Sequence, residues 1–295
     1  MPLIPPPVTI WSVAKEGKLE ELQRFVEQGT AVDSRGRGEV TPLHEAAEAG
    51  HLNIVRWLLD RGASPNARTL RNPGDPGSFT PLHLAVQAGH IDISRLLVER
   101  GAKVNPKMSD GTTSLMLAAE SGRMDLLALL LEHGADISLH SQLGQSALSI
   151  AVVTQHWAAA ELLFLKGADV NDRSEGDNGT VLMLMAGNKQ VEGVRFLIAH
   201  HADVHIQDDK GQSALHWAVI GAAAHIRKWT SDEKGKSFEE ETPEDAVRVV
   251  RLLLAAGALT TVAGADGFTP VSLARKLRLT HIVELLEQKG PHNGG

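Results

Sequence analysis

Between residues 41 and 66 the chain runs through two short hydrophobic rhythms separated by glycine. TPLHEAAEAG (41–50) predicts a short helix that stops at Gly50. In the stretch that follows, Leu52, Val55, Leu58 and Leu59 fall on one face of a second helix at the spacing of helical turns. Gly62 then ends this helix in a left-handed cap, a conformation in which a Cβ is strained. Pro42 opens the first helix, where a missing N–H has no intrahelical partner to lose. Beyond Gly62 the chain runs out extended and returns through a tight turn to the next Thr-Pro. A helix pair of this size has two apolar faces and cannot bury both by itself, whereas a stack of such pairs can.

The same pattern recurs along the chain. VAKEG at 13–17, AAEAG at 46–50, AVQAG at 85–89 and AAESG at 118–122 end at Gly17, Gly50, Gly89 and Gly122. Their register continues without glycine at Gln155, Lys189, Ala222 and Arg278, with successive steps of 33, 39, 33, 33, 34, 33 and 56 residues. A second marker follows each pair: Gly29, Gly62, Gly101, Gly134, Gly167, His201, Gly257 and Gly290, with steps of 33, 39, 33, 33, 34, 56 and 33. Two independent markers thus share one period and agree on where it is interrupted. A fixed period of this length is the mark of a solenoid.

TPLHEAAEAGH (41–51) and TPLHLAVQAGH (80–90) resemble the ankyrin-repeat consensus, as do RGASPN (61–66), RGAKVN (100–105), HGADIS (133–138) and KGADVN (166–171). The resemblance implies an all-α solenoid of stacked helix–turn–helix units with β-hairpin-like finger loops. It covers a single domain over 8–290, with eight units beginning near residues 8, 41, 80, 113, 146, 180, 213 and 269. The first and last units depart from the pattern in the manner of caps, which need a polar outer side to end the stack. Unit six loses the usual Pro, His and Gly in VLMLMAGNKQ, and a local weak point is expected there. His201 stands at its loop-glycine position, and histidine tolerates positive φ better than most residues. The Pro-rich residues 1–7 are expected to form a stiff arm, and residues 291–295 a disordered tail.

Two insertions break the period. The 39-residue step adds six residues to the finger within ARTLRNPGDPGSF (67–79), either a neutral loop extension or a finger reaching further over the inner-helix face. The 56-residue step adds 23 residues between the helices of unit seven, over about 222–244. Thr242 is expected to N-cap the helix that follows, with Pro243 as its first residue. Residues 231–245 carry seven acids and two lysines, which concentrates most of the chain's net charge of −7 in one place. Trp229 and Phe238 interrupt this polar run, either as anchors for a partner or as rings that pin the insertion to the solenoid.

Composition narrows the function class. The acidic balance lacks the basic face that displaces counterions from nucleic acid. The chain has no cysteine, so disulfides, thiolate nucleophiles and Cys-based zinc sites are excluded. It has neither a basic-then-apolar leader nor an apolar run of roughly 20 residues, so a soluble cytoplasmic protein is expected, with secretion by another route still open. HExxH, GxxxxGK[ST] and GxSxG are all missing. His200, His201 and His205 cluster in HHADVH, but a closed zinc site needs four ligands and Asp203 is the one nearby carboxylate, so no metal or cofactor is expected. The resemblance implies that His44, His83, His216, His51, His90 and His156 hold turns by hydrogen bonds, and that Asn66, Asn105 and Asn171 occupy a position hydroxylated in some hosts. Trp57, Trp157 and Trp217 replace aliphatic consensus residues and are expected in the core.

The resemblance implies binding of another protein, through a concave face of inner helices and fingers. In this register Glu48, Gln87 and Glu120 are exposed on the inner helices. Phe79, Thr112, Gln145 and Gln212 precede the helix starts, and Arg37, Lys107 and His140 belong to the fingers. The face reads as mixed, without a long apolar stripe, which favours a folded or polar partner. The expected protein is a monomeric, non-enzymatic adaptor, effector or inhibitor. The alternative is an enzyme or ligand-binding protein whose site is formed by the 222–244 insertion against the groove, drawing on His225, Asp232 or Glu241.

Overall fold

The computed structural model describes residues 8–70, 77–174, 176–223 and 243–288. The fold divides after Ala168 into two compact units. The first contains five helix pairs. Their inner helices are α1 (Ile10–Lys15), α3 (Pro42–Ala49), α5 (Pro81–Gln87), α7 (Ser114–Glu120) and α9 (Ala147–Val153). Their outer helices are α2 (Leu19–Glu27), α4 (Leu52–Asp60), α6 (Ile91–Glu99), α8 (Met124–Glu132) and α10 (Trp157–Leu165). The second unit contains α11 (Val181–Gly187), α12 (Val191–Ala199), α13 (Ala214–Ala223), α14 (Glu244–Ala255), α15 (Pro270–Lys276) and α16 (Thr280–Gln288). Among the described residues the only strand-like pairings are two isolated bridges, Arg173 with Thr180 and Gln207 with Ser213. Each unit therefore has the expected all-α solenoid architecture.

Local chemistry starts each inner helix. Thr80, Thr113 and Ser146 lie in extended backbone, and their hydroxyls accept from the N–H three residues on. Caps of this kind are each worth about 1 kcal/mol. The helices are only six to ten residues long on the inner side, too short to persist alone in water. Their stability comes from burial between neighbours. Leu43, Leu82, Leu115 and Leu148 occupy one register position on successive inner helices and are at most 2% exposed. Each fully buried leucine contributes about 1.5–3 kcal/mol. Ile54 and Leu58 on α4, and Ile93 and Leu97 on α6, fill the space behind them.

Glycine at the turn between helices serves a steric purpose as well as a conformational one. Gly50 has φ 85°, and a Cβ there would stand 2.7 Å from the His90 ring. That ring hydrogen-bonds the Glu48 carbonyl across the repeat boundary at 3.1 Å. Where glycine is missing, the left-handed conformation persists: Gln155, Lys189 and Arg278 have φ of 61°, 59° and 59°. His201 likewise adopts φ 63° at the loop-glycine position. Ala222 is the exception, because α13 continues through the position at which the other units turn.

Successive fingers are joined main chain to main chain. In the first unit Leu70 N–H donates to the Gly38 carbonyl at 2.8 Å, Ser109 to Gly77 at 3.3 Å and Gln142 to Asp110 at 2.7 Å. In the second unit Asp209 donates to Asp177 at 3.0 Å and Ala265 to Lys210 at 2.7 Å. Asparagines add a parallel tie: Asn66 Oδ1 accepts from Lys103 N–H at 2.8 Å while its Nδ2 donates to the Gly101 carbonyl at 2.9 Å. Asn105 repeats this with Asp136 and Gly134.

Two sequence expectations need correction. Pro243, with φ −53° and ψ 130°, is the N-cap of α14 rather than its first residue, because its extended ψ keeps it outside the helix; the helix opens on Glu244 and Asp245. Trp57, Trp157 and Trp217 are half-buried rather than core residues. Trp57 lies under the Arg61 guanidinium at 3.9 Å, and Trp217 donates its indole N–H to Asp208 at 2.9 Å, so a polar partner holds each ring at the edge of the core. The stiff arm, the tail, Trp229, Phe238, His225, Asp232 and Glu241 lie outside the described residues, as does the tip of the long finger at 71–76.

In the second unit α11 and α13 meet backbone to backbone. A Cβ on Gly221 would lie 2.0 Å from the Gly187 carbonyl oxygen, and one on Gly187 would lie 3.1 Å from the Trp217 ring. Gly221→Ala should therefore force the helices apart and destabilise the protein by about 3 kcal/mol, the scale of severe overpacking. Gly187→Ala, facing a side chain that can shift, should cost less. Urea denaturation followed by circular dichroism measures both; a Gly221→Ala protein as stable as the parent would contradict this packing.

Candidate functional site

The inner helices present two rows of side chains. At their eighth register position Glu48, Gln87, Glu120 and Val153 are exposed in the first unit, and Ile220 in the second. At the fifth position Leu84 and Ile150 are half-buried and Leu117 is buried, forming an aliphatic row on α5, α7 and α9. In the second unit Leu184 and Trp217 hold that position, with Leu184 exposed. The mixed face expected from sequence is thus accompanied by an apolar row in each unit. The aliphatic residues are legible as letters in PLHLA, SLMLA and ALSIA, although the sequence singles out the eighth position more readily than the fifth.

The finger residues divide by what they touch. Thr112, Gln145 and Gln212 are half-buried, and their carbonyls close the finger turns by accepting from Met108 at 2.8 Å, Ser141 at 3.0 Å and Asp208 at 3.0 Å. Lys107 donates its ammonium to the His140 carbonyl at 2.9 Å, so this cation ties one finger to the next. Arg37 is exposed on the short turn Arg37–Glu39. Asp208 was not singled out from sequence. It is 7% exposed and accepts from Lys210 N–H, Gln212 N–H and the Trp217 indole, which stiffens the finger beside α13.

Three predicted residues come together. Phe79, Glu48 and Gln87 line one pocket of about 260 Å³ in the first unit, with Glu45, Leu70 and Leu84 among its other walls. Phe79 is placed by the base of the long finger, where Thr69 N–H donates to the Phe79 carbonyl and Phe79 N–H donates to Thr69 Oγ1, both at 3.0 Å. His44, which is completely buried, also lines it.

His44 and its counterparts are the joints between units. The backbone N–H of Thr41 reaches His44 Nδ1 at 3.2 Å, and His44 Nε2 reaches the Phe79 carbonyl of the following finger at 3.2 Å. His83 joins Thr80 to the Pro106 carbonyl at 3.1 and 3.1 Å, and His216 joins Ser213 to Phe268 at 3.1 and 3.1 Å. An imidazole that accepts at Nδ1 and donates at Nε2 is neutral. Burial accordingly holds His44 and His83 down to about 4, against the opposing pull of the carbonyl each one binds. His216 is lowered by the same cause. These rings are structural and are not poised for proton transfer near neutrality. Among the described residues no three His, Cys, Asp or Glu side chains are grouped to hold a metal ion, and no helix is long and apolar enough to cross a membrane.

Comparison with known proteins gives one consistent result. A family model of ankyrin repeats (three copies) matches overlapping segments at residues 9–108, 69–141, 105–174 and 148–229. Human ankyrin repeat domain-containing protein 49 is 39% identical over 67 residues, which is 22% of this chain and 28% of that protein. Acyl-CoA-binding domain-containing protein 2 of Arabidopsis thaliana is 43% identical over 54 residues, 18% of this chain and 15% of that protein. Neurogenic locus notch homolog protein 1 of Xenopus tropicalis is 41% identical over 71 residues, 22% of this chain and 3% of that protein. The matched part of the chain spans less than a third of each of these relatives.

The joint histidines make stability depend on pH. Their folded-state values lie below the free imidazole value of 6.5, so the unfolded chain binds more protons between pH 6.5 and 4. Their contribution should be complete above pH 6.5 and decline as pH falls towards 4, by about 3 kcal/mol for each of His44 and His83. Urea midpoints measured from pH 7.5 to 4.5 should fall across this range. A flat profile would contradict neutral, buried joints.

Proposed function

Because the chain belongs to the ankyrin-repeat family, whose repeats are general protein–protein interaction modules, we propose that it is a monomeric, non-catalytic cytoplasmic protein that binds a partner protein through the inner-helix and finger face. One observation carries this reading. Successive inner helices expose the same register position while burying the residues around it: Glu48, Gln87 and Glu120 are exposed, whereas Leu43, Leu82 and Leu115 are at most 2% exposed. A repeated exposed row over a repeated buried one offers a flat series of contacts, of which a few central ones would dominate binding. The two-layer chemistry supports a folded partner that inserts some apolar side chains against Leu84 and Ile150 and meets polar groups above them. The pocket also supports binding over turnover: at about 260 Å³ it falls below the roughly 300–1,000 Å³ of small-molecule sites.

Site-specific photo-crosslinking in native cells tests the proposal. A benzophenone side chain placed at Gln87 or Glu120 should capture one partner, and the same group at Glu99 or Glu132 on the outer helices should not. Capture from the outer positions alone would contradict the assigned face. Phe79→Ala should weaken recovery of that partner about tenfold if the ring is a central contact; unchanged recovery would remove Phe79 from the interface.

A further inference from the structure

The pocket between α3 and the base of the long finger has a chemistry more specific than its surroundings. It is lined by Phe79, Leu84 and Leu70 together with Glu45 and Glu48. The two carboxylates are three residues apart on α3, so they lie on one helix face about 5–6 Å apart at Cβ. Glu48 is exposed and has no ionic partner among the described residues. Glu45 Oε2 is buried and, among the described residues, accepts no hydrogen bond, although the Lys15 ammonium stands 3.4 Å away. The pocket thus brings two carboxylates together, and no Lys or Arg is among the residues that line it. Lys15 is 62% exposed, so solvent screens its hold on the Glu45 carboxylate.

We propose that this pocket receives one arginine side chain from the bound partner protein, an inference that rests on the protein-binding function above. The planar guanidinium presents five donors in a fixed fork and can serve two neighbouring carboxylates at once, displacing Lys15 from Glu45. Its face stacks on an aromatic ring, which Phe79 supplies, while its methylene stem lies against Leu84. The volume of about 260 Å³ suits a single side chain. Lysine, a point charge on a flexible stem, makes poorer use of two carboxylates and a ring.

Titration of the intact ¹⁵N-labelled protein with N-acetyl-arginine amide tests the proposal without any partner. Amide shifts should saturate at Glu45, Glu48, Leu84 and Gln87, with a Kd on the order of 1 mM for so small a probe. N-acetyl-lysine amide should bind at least several-fold more weakly, and N-acetyl-glutamine amide should give no saturable shift. Glu48→Gln, a change at an exposed position that leaves the fold intact, should weaken arginine binding about tenfold. The proposal is overturned by the absence of saturable shifts at these residues, by shifts that Glu48→Gln leaves unchanged, or by equal binding of lysine and arginine. Crosslinking from Gln87 and Glu120 is read independently, so loss of the arginine pocket would leave the partner-binding face standing.

Discussion

Two helices of seven and nine residues enclose almost nothing between them. Within each unit an interior pair has an apolar side towards the pair before it and another towards the pair after it, and Leu43, Leu82 and Leu115 are buried between such neighbours. Everything else in the architecture follows from that constraint. The glycine turns, the hydroxyl caps and the finger ladders shape each pair so that the next one seats on it. The core is a property of the interfaces between repeats, not of any repeat alone.

Polar groups set the register of those interfaces. The neutral rings of His44, His83 and His216 each accept from the start of their own helix and donate to the carbonyl before the next one. Such a ring cannot serve both partners once protonated, because both its nitrogens are then donors. The asparagines at 66 and 105 tie adjacent loops in a comparable way. With these groups committed to the scaffold, the side chains left for recognition are those facing outward from the inner helices and the fingers. Glu48, Gln87 and Phe79 are brought together because the finger base and α3 are held by His44.

The repeat, its period and its interruptions were legible in the letters because each marks a backbone necessity. Gly50 and Gly62 stand at left-handed positions, and the register carries that conformation to Gln155, Lys189, Arg278 and His201, which replace glycine. It failed at Ala222, where alanine's helix preference and the close approach of Gly221 to Gly187 let α13 run on. The tryptophans were misplaced for a similar reason: bulk suggests core, but an indole N–H needs an acceptor, and Asp208 at the edge supplies one for Trp217. Of the candidate site, the positions were readable and their company was not. Lys107 binds the His140 carbonyl, and Glu45 carries a buried oxygen in a pocket wall. Those facts depend on the neighbouring repeat, which a single motif does not contain.

Fragments of increasing length test the dependence on neighbours most directly. Residues 80–112, one complete repeat, should show no cooperative unfolding and little helical circular dichroism in water, because isolated helices of this length are marginal. Residues 8–168, the first compact unit, should show a single cooperative urea transition. A stable, cooperatively folding 80–112 would contradict the claim that the core exists only between repeats.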